Sequence, residues 1–168
     1  MLDEKIIKDF WSLHLARKTY ANGEDYYGTF PEGFEKKLLA LGVHFSPFVH
    51  LCSGMSELGE YRFDINQKTK ATHFQDARNT GLPDGFAGFV LLDCYYTKED
   101  FEKQAQAYVS VYDFLKEAVR ITKIGGSIAV LHTIPPRKPK GTKLTHLIAI
   151  STGPDRQFRC LQIFKRLI

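Results

Sequence analysis

The stretch Phe89–Asp100, FVLLDCYYTKED, decides how this chain is read. Four apolar residues run directly into an aspartate and two tyrosines, and a helix-start pattern follows. A strand without polar alternation is buried on both faces, as in a parallel sheet covered on both sides. Such a strand delivers the polar residue after it to the rim of the sheet, where ligands of open α/β sheets bind. Asp93-Cys94-Tyr95-Tyr96 is therefore either the working end of an enzyme or the place where a strand stops.

The segments around it have the same character. FSPFVHLCSG, from Phe45, reads as a buried strand followed by a tight turn, and YRFDIN, from Tyr61, as a second strand. ATHFQDA, from Ala71, reads as a third, FAGFVLLD as a fourth and SIAVLHTI, from Ser127, as a fifth. Between the last two, the apolar spacing of Val111, Phe114, Leu115, Ala118, Val119 and Ile121 predicts a helix over 108–122. LTHLIAIST and FRCLQIFKRL are strands joined by GPDRQ, a turn signal for an antiparallel hairpin. Ahead of the sheet, apolar residues at 6, 7, 10, 11, 13 and 15 predict an amphipathic helix, and Phe34, Leu38, Leu39 and Leu41 a second one. The expectation is one α/β domain over 1–168: an N-terminal helical segment, 1–43, and a Rossmann-like core, 44–168. Its sheet is mostly parallel, with a C-terminal antiparallel hairpin. The links after the first three strands are too short for full crossover helices, so these are reduced.

Composition narrows the setting. A chain of 168 residues, 43% of them hydrophobic, is of ordinary single-domain size and can build a core, which excludes a disordered segment. No apolar run approaches the roughly 18 residues of a membrane span, so no membrane association is expected. The charged start MLDEKIIKDF does not read as a signal peptide. Cys52, Cys94 and Cys160 are odd in number and widely spaced, which fits neither a disulfide framework nor a metal site and suits a reducing cytoplasm. The formal net charge of +4 is compatible with a polyanionic partner.

The strand ends carry the candidate chemistry. Gly54 closes the first strand, in Leu51-Cys52-Ser53-Gly54, where the chain turns and a ligand can approach a residue without a side chain. Asp64 ends the second strand, where a carboxylate can accept both hydroxyls of a ribose or simply cap a turn. At Asp76-Ala77 a carboxylate can accept from an exocyclic amine while the next backbone N–H donates to a ring nitrogen; a cap is the alternative. His50 reads equally as a packed core histidine. Arg137, Lys138, Lys140 and Lys143, in PPRKPKGTK, are candidates for phosphate contact, with Arg156 and Arg159 extending the patch.

In this order, the residues from about 45 to 164 resemble the class I S-adenosylmethionine-dependent methyltransferases, and among them the small adenine-specific nucleic-acid methyltransferase-like proteins. The resemblance implies a seven-stranded sheet with its last strand antiparallel. It implies S-adenosylmethionine as cofactor, with Leu51–Gly54 at the methionine part, Asp64 at the ribose and Asp76 and Ala77 at the adenine. Asp93 and Tyr96 match the ends of the family's Asp/Asn-Pro-Pro-aromatic motif, in which the first residue holds an amino group and the aromatic stacks on a flipped base. Cys94 and Tyr95 stand in place of both prolines, which removes the φ restraint that fixes the loop. The implied acceptor is an amino group of a nucleic-acid base, and the alternative is a catalytically degenerate binding subunit. With short crossovers leaving a sheet face bare, a homodimer or a partner subunit is expected, Phe10 and Trp11 contributing.

Overall fold

The computed structural model describes residues 5–26, 28, 30–42, 46–95, 98–103 and 107–168. Its elements, in chain order, are β1 (Ile7–Ser12), β2 (Lys18–Thr19), β3 (Asp25–Tyr26), α1 (Phe34–Ala40), β4 (Phe48–Leu51), β5 (Tyr61–Phe63), β6 (Ala87–Leu92), α2 (Lys98–Lys103), α3 (Val111–Ile121), β7 (Thr122–His132), β8 (Thr142–Ser151) and β9 (Arg159–Arg166). Seven strands form one sheet in the order β1-β8-β9-β7-β6-β4-β5, and β2 and β3 form a separate two-stranded hairpin. Only β9 runs against its neighbours, pairing antiparallel with β7 and β8, while the other sheet pairings are parallel. The expected architecture is the observed one: a mostly parallel sheet, a C-terminal antiparallel hairpin and few crossover helices. No described helix connects β4 to β5 or β5 to β6.

The period-two pleat sorts the core into two layers. Val49, Leu51, Val90, Leu92, Ile128, Val130 and Phe164 face one side, where Phe114, Leu115, Ala118 and Ile121 of α3 cover them. Phe48, Phe89, Leu91, Leu131, Leu161 and Ile163 face the other, against Trp11, Leu13, Phe30, Phe34 and Leu38. Burying each large apolar side chain is worth roughly 1.5–3 kcal/mol, so every central strand is held from both sides. The second face is thus filled by α1 and its approach segment. Among the described residues, the sheet face that was expected to be bare is covered.

The N-terminal segment corrects the sequence reading. Residues 7–12 are not helical. They pair in parallel with His146–Ser151, so the seventh strand of the sheet comes from the region expected to be a helical appendage. The reason is burial on one side only. Within β1 Trp11 alone is buried, and apolar Ile7 and Phe10 lie exposed at the edge, which blurs a period of two into spacings of three and four. Within 1–43 the one described helix is α1, where a helix was expected. The expected third strand is also missing: Ala71–Ala77 contributes a single parallel bridge, Phe63 to His73. The Thr72 and His73 N–H groups both donate to the Arg62 carbonyl instead of extending a ladder.

α3 starts at Ser110, whose hydroxyl accepts the Tyr112 N–H at 3.3 Å. It passes directly into β7 with no separating loop. Gly125, at φ +81°, sits in an irregular register that brings Ser127 opposite Phe89. This packing sets the carboxyl ends of β4, β5, β6 and β7 along one edge of the sheet.

Candidate functional site at the carboxyl ends of the strands

A cavity of about 860 Å³ opens along that edge. Cys52, Asp64, Asp76, Ala77, Asp93 and Cys94 line it, so the segments after β4, β5 and β6 meet in one place with the hairpin turn of β8 and β9 and the N-terminal segment. Its size lies within the roughly 300–1,000 Å³ of small-molecule sites. Of the sequence-predicted residues, Leu51, Ser53 and Gly54 are buried beneath it rather than lining it. Tyr96 lies outside the described residues.

Asp64 joins two of the loops. Its Oδ2 accepts the Gly54 N–H at 2.9 Å and its Oδ1 accepts the Asn66 N–H at 2.8 Å. Burial raises its pKa above the ordinary carboxylate value, and the two backbone N–H groups oppose that rise. A carboxylate oxygen has two lone-pair directions, so both oxygens keep accepting capacity toward the cavity. Gly54 has φ +52°, and Cys52 beside it has φ +58°, which is uncommon for a residue with a side chain. A Cβ at position 54 would stand 1.8 Å from the Tyr26 hydroxyl, so glycine is required there for conformation and for space.

Asp76 accepts the Arg78 backbone N–H at 2.8 Å and the Arg78 Nε at 3.0 and 2.9 Å. The guanidinium holds its pKa below the ordinary value. Among the described residues nothing accepts from the Ala77 N–H. A carboxylate held by Arg78 and an unbonded backbone donor thus stand side by side at the cavity.

Asp93 follows β6 directly, and its N–H donates to the Leu51 carbonyl at 3.3 Å. Cys94 is 4% exposed and packs into the core, whereas Tyr95 is half-buried at the cavity wall. Burial raises the Tyr95 pKa, and nearby Asp64 adds to the effect. The Cys52 thiol is pushed up by its hydrogen bond with Cys94 and by burial, so it is a neutral wall group and not a nucleophile.

His50 belongs to the core. It is fully buried, stacks on Phe30 at 5.6 Å between ring centroids, and its Nδ1 is 3.1 Å from the Leu58 carbonyl. Burial pulls its pKa down to about 3. It faces away from the cavity, in the second core layer.

The basic loop lies elsewhere. The Lys138 Nζ donates to the Thr142 carbonyl at 3.0 Å, the Arg137 N–H donates to the Tyr112 hydroxyl at 3.1 Å, and Lys143 pairs across from Lys165 at the far end of the sheet. None of Arg137, Lys138, Lys140 and Lys143 lines the cavity; Arg78, Arg156 and Arg159 do. The sequence reading missed Tyr26 and Arg78. Tyr26 stands in a segment with no strand pattern. Arg78 had a signal in its position two residues after Asp76, the spacing of an Asx turn.

Comparisons with known proteins bear on the fold. No protein-family model matches the chain, and no curated protein matches it by sequence. Among solved structures it is similar to TrmN from Thermus thermophilus, with a TM-score of 0.60 and 18% identity, covering 82% of this chain and 49% of that one. The chain therefore spans about half the length of that neighbour. It also matches a SAM-dependent methyltransferase from Aquifex aeolicus at a TM-score of 0.47 and 13% identity, over 80% of this chain and 89% of the other. Strand order, the single antiparallel strand and the first of these matches give this chain the Rossmann-like methyltransferase fold.

Proposed function

We propose that the chain is an S-adenosylmethionine-dependent methyltransferase that acts on an amino group of a nucleic-acid base. One observation carries this reading: Asp64, the Asp76-Ala77 pair and Asp93 line a single cavity at the ends of the strands. The Rossmann-like methyltransferase fold, shared with TrmN from Thermus thermophilus, supports it from outside the site.

When bound, S-adenosylmethionine supplies an electrophilic methyl group on a sulfonium. The residues of this chain bind and orient. Asp64 accepts hydrogen bonds from the ribose hydroxyls. Asp76 accepts from the adenine amine while the Ala77 N–H donates to a ring nitrogen. Gly54 leaves room at the turn for the Tyr26 hydroxyl, which lines the cavity in its place. Asp93 accepts a hydrogen bond from the acceptor's amino group and turns the nitrogen lone pair toward the methyl. Orientation of this kind and stabilisation of developing charge supply most of the acceleration in a displacement that needs no covalent intermediate on the enzyme. Arg156 and Arg159 line the cavity, unlike the loop at 137–143, and this supports contact between them and an acceptor's phosphates.

A second reading is a cofactor-binding subunit without turnover of its own. It is favoured by Cys94 and Tyr95, which leave the Asp93 loop without the two prolines that restrain it in the family it resembles. Labelled-methyl transfer against DNA, RNA and protein separates the readings. Label in nucleic acid is the expected result. Calorimetric binding of the cofactor with no transfer to any acceptor would favour the subunit, and the absence of binding would overturn both.

A further inference from the structure

The N-terminal hairpin is docked on the loops that follow β4 and β5. The Lys18 Nζ donates to the Met55 carbonyl at 3.3 Å, the Asn66 Nδ2 donates to the Tyr20 hydroxyl at 3.0 Å, and Lys68 pairs with Glu24 at 3.3 Å while lying over the Tyr20 ring. Tyr20 in turn meets the Tyr26 ring edge-on at 5.4 Å. This scaffold carries Tyr26 into the cavity wall, its hydroxyl against Gly54 in the space that any larger residue at 54 would fill.

The environment of that hydroxyl is specific. Among the described residues nothing hydrogen-bonds it. Asp64, Asp93 and Tyr95 are its neighbours, and together with burial they keep the phenol protonated. The hydroxyl opens on the cavity instead of being sealed in the core, so its donor can meet a ligand there. Asp64 and the Asp76-Ala77 pair occupy the nucleoside end of the site, and Asp93 the acceptor end. The Tyr26 hydroxyl stands over Gly54 at the cavity wall, where whatever links the two would pass. In the cofactor that link carries an α-ammonium and an α-carboxylate. The ammonium suits the nearby aspartates, and the carboxylate needs a donor.

We infer that Tyr26 is a ligand-binding residue whose hydroxyl donates a hydrogen bond to the carboxylate of the cofactor's amino-acid arm. The inference rests on the proposed function above. It makes the hairpin at 18–26 part of the binding site, so occupancy of the arm and docking of the hairpin reinforce one another.

The test compares two ligands on wild type and Tyr26→Phe by calorimetry. S-adenosylhomocysteine carries the arm; 5′-methylthioadenosine has the same nucleoside and sulfur without the carboxylate or ammonium. Removing one hydroxyl keeps the ring packing, and equal melting temperatures of the two proteins check this. The expected result is an affinity for S-adenosylhomocysteine about ten-fold weaker in Tyr26→Phe, as for a lost hydrogen bond to a charged group, with 5′-methylthioadenosine unchanged. Equal losses for both ligands, or no loss for either, would overturn the role of Tyr26 and leave the cofactor reading standing. A wild-type protein that binds neither ligand would overturn the cofactor reading and this inference together.

Discussion

The carboxylate of Asp64 accepts the backbone N–H of Gly54, at 2.9 Å, across the gap between the ends of β4 and β5. One side chain therefore shapes the turn beneath the cavity and also lines the cavity. Asp64→Ala is expected to lose both roles. The Gly54 and Asn66 N–H groups would lose their acceptor, at a cost of roughly 1–3 kcal/mol in stability, and cofactor affinity would fall. Asp64→Asn keeps one acceptor and is expected to recover stability better than binding. Urea titration beside calorimetry reads the two separately, and equal recovery of both would argue against ribose contact.

The same group gives a pH dependence. Burial raises the Asp64 pKa, so native Asp64 takes up a proton at higher pH than an ordinary aspartate does. The sign for stability follows: this contribution is full below the unfolded value and is lost as pH rises through the folded one. For ligand the sign is opposite, because only the carboxylate accepts both ribose hydroxyls. Affinity for the nucleoside is expected to decline on acidification before ordinary carboxylates titrate. A calorimetric pH series on wild type and Asp64→Asn checks this; the mutant should lack the decline.

His50 provides a separate acid response. Its pKa is depressed to about 3 by burial, so its contribution to stability is present above the unfolded value near 6.5 and is lost as pH falls toward 3. His50→Leu removes the titrating group from the same apolar layer. Its stability should fall less steeply than that of wild type between pH 6.5 and pH 4, measured by denaturant midpoints. Parallel curves would place the histidine outside the core.

Asp93→Ala should leave cofactor binding near wild type while turnover falls by at least roughly 100-fold, the size of effect seen when one preorganised polar group at a reacting centre is removed. Methyl-transfer kinetics alongside calorimetry check this. Wild-type turnover in the mutant would remove Asp93 from the acceptor site.

The proposed homodimer moves from the sheet face to the sheet edge. β1 has no partner on its outer side among the described residues, and Ile7 and Phe10 are more than half exposed there. Such an edge is a template for pairing with another copy. Light scattering should give the mass of two chains, reduced to one by Phe10→Lys. A single-chain mass for wild type across a tenfold dilution would refute it.

How much of this was legible in the sequence depended on burial. β4, β6 and the second half of β7 are covered on both faces, and their unbroken apolar runs said so. The aspartates at the strand ends were equally visible, because a polar residue after such a run has one place to go. β1 was misread because its edge position leaves apolar residues exposed. The expected third strand failed because Arg62, a single acceptor, captured two consecutive N–H groups. Tyr26 was invisible for a different reason. Nothing local marks it, and its importance comes from Gly54, reached only when the hairpin docks.

The pairing of residues 7–12 with 146–151 has a consequence for the order of events during synthesis. The sheet partner of β1 among the described residues is β8, which is made much later. β4, β6 and β7 can assemble on α3 while translation continues, but β1, with apolar Ile7 and Phe10, must wait for its ladder until β8 emerges. Contacts this distant in sequence slow folding, and waiting apolar segments are open to capture by other chains. Yield during expression should therefore respond to translation rate and chaperone supply more sharply than the stability of the finished protein would suggest.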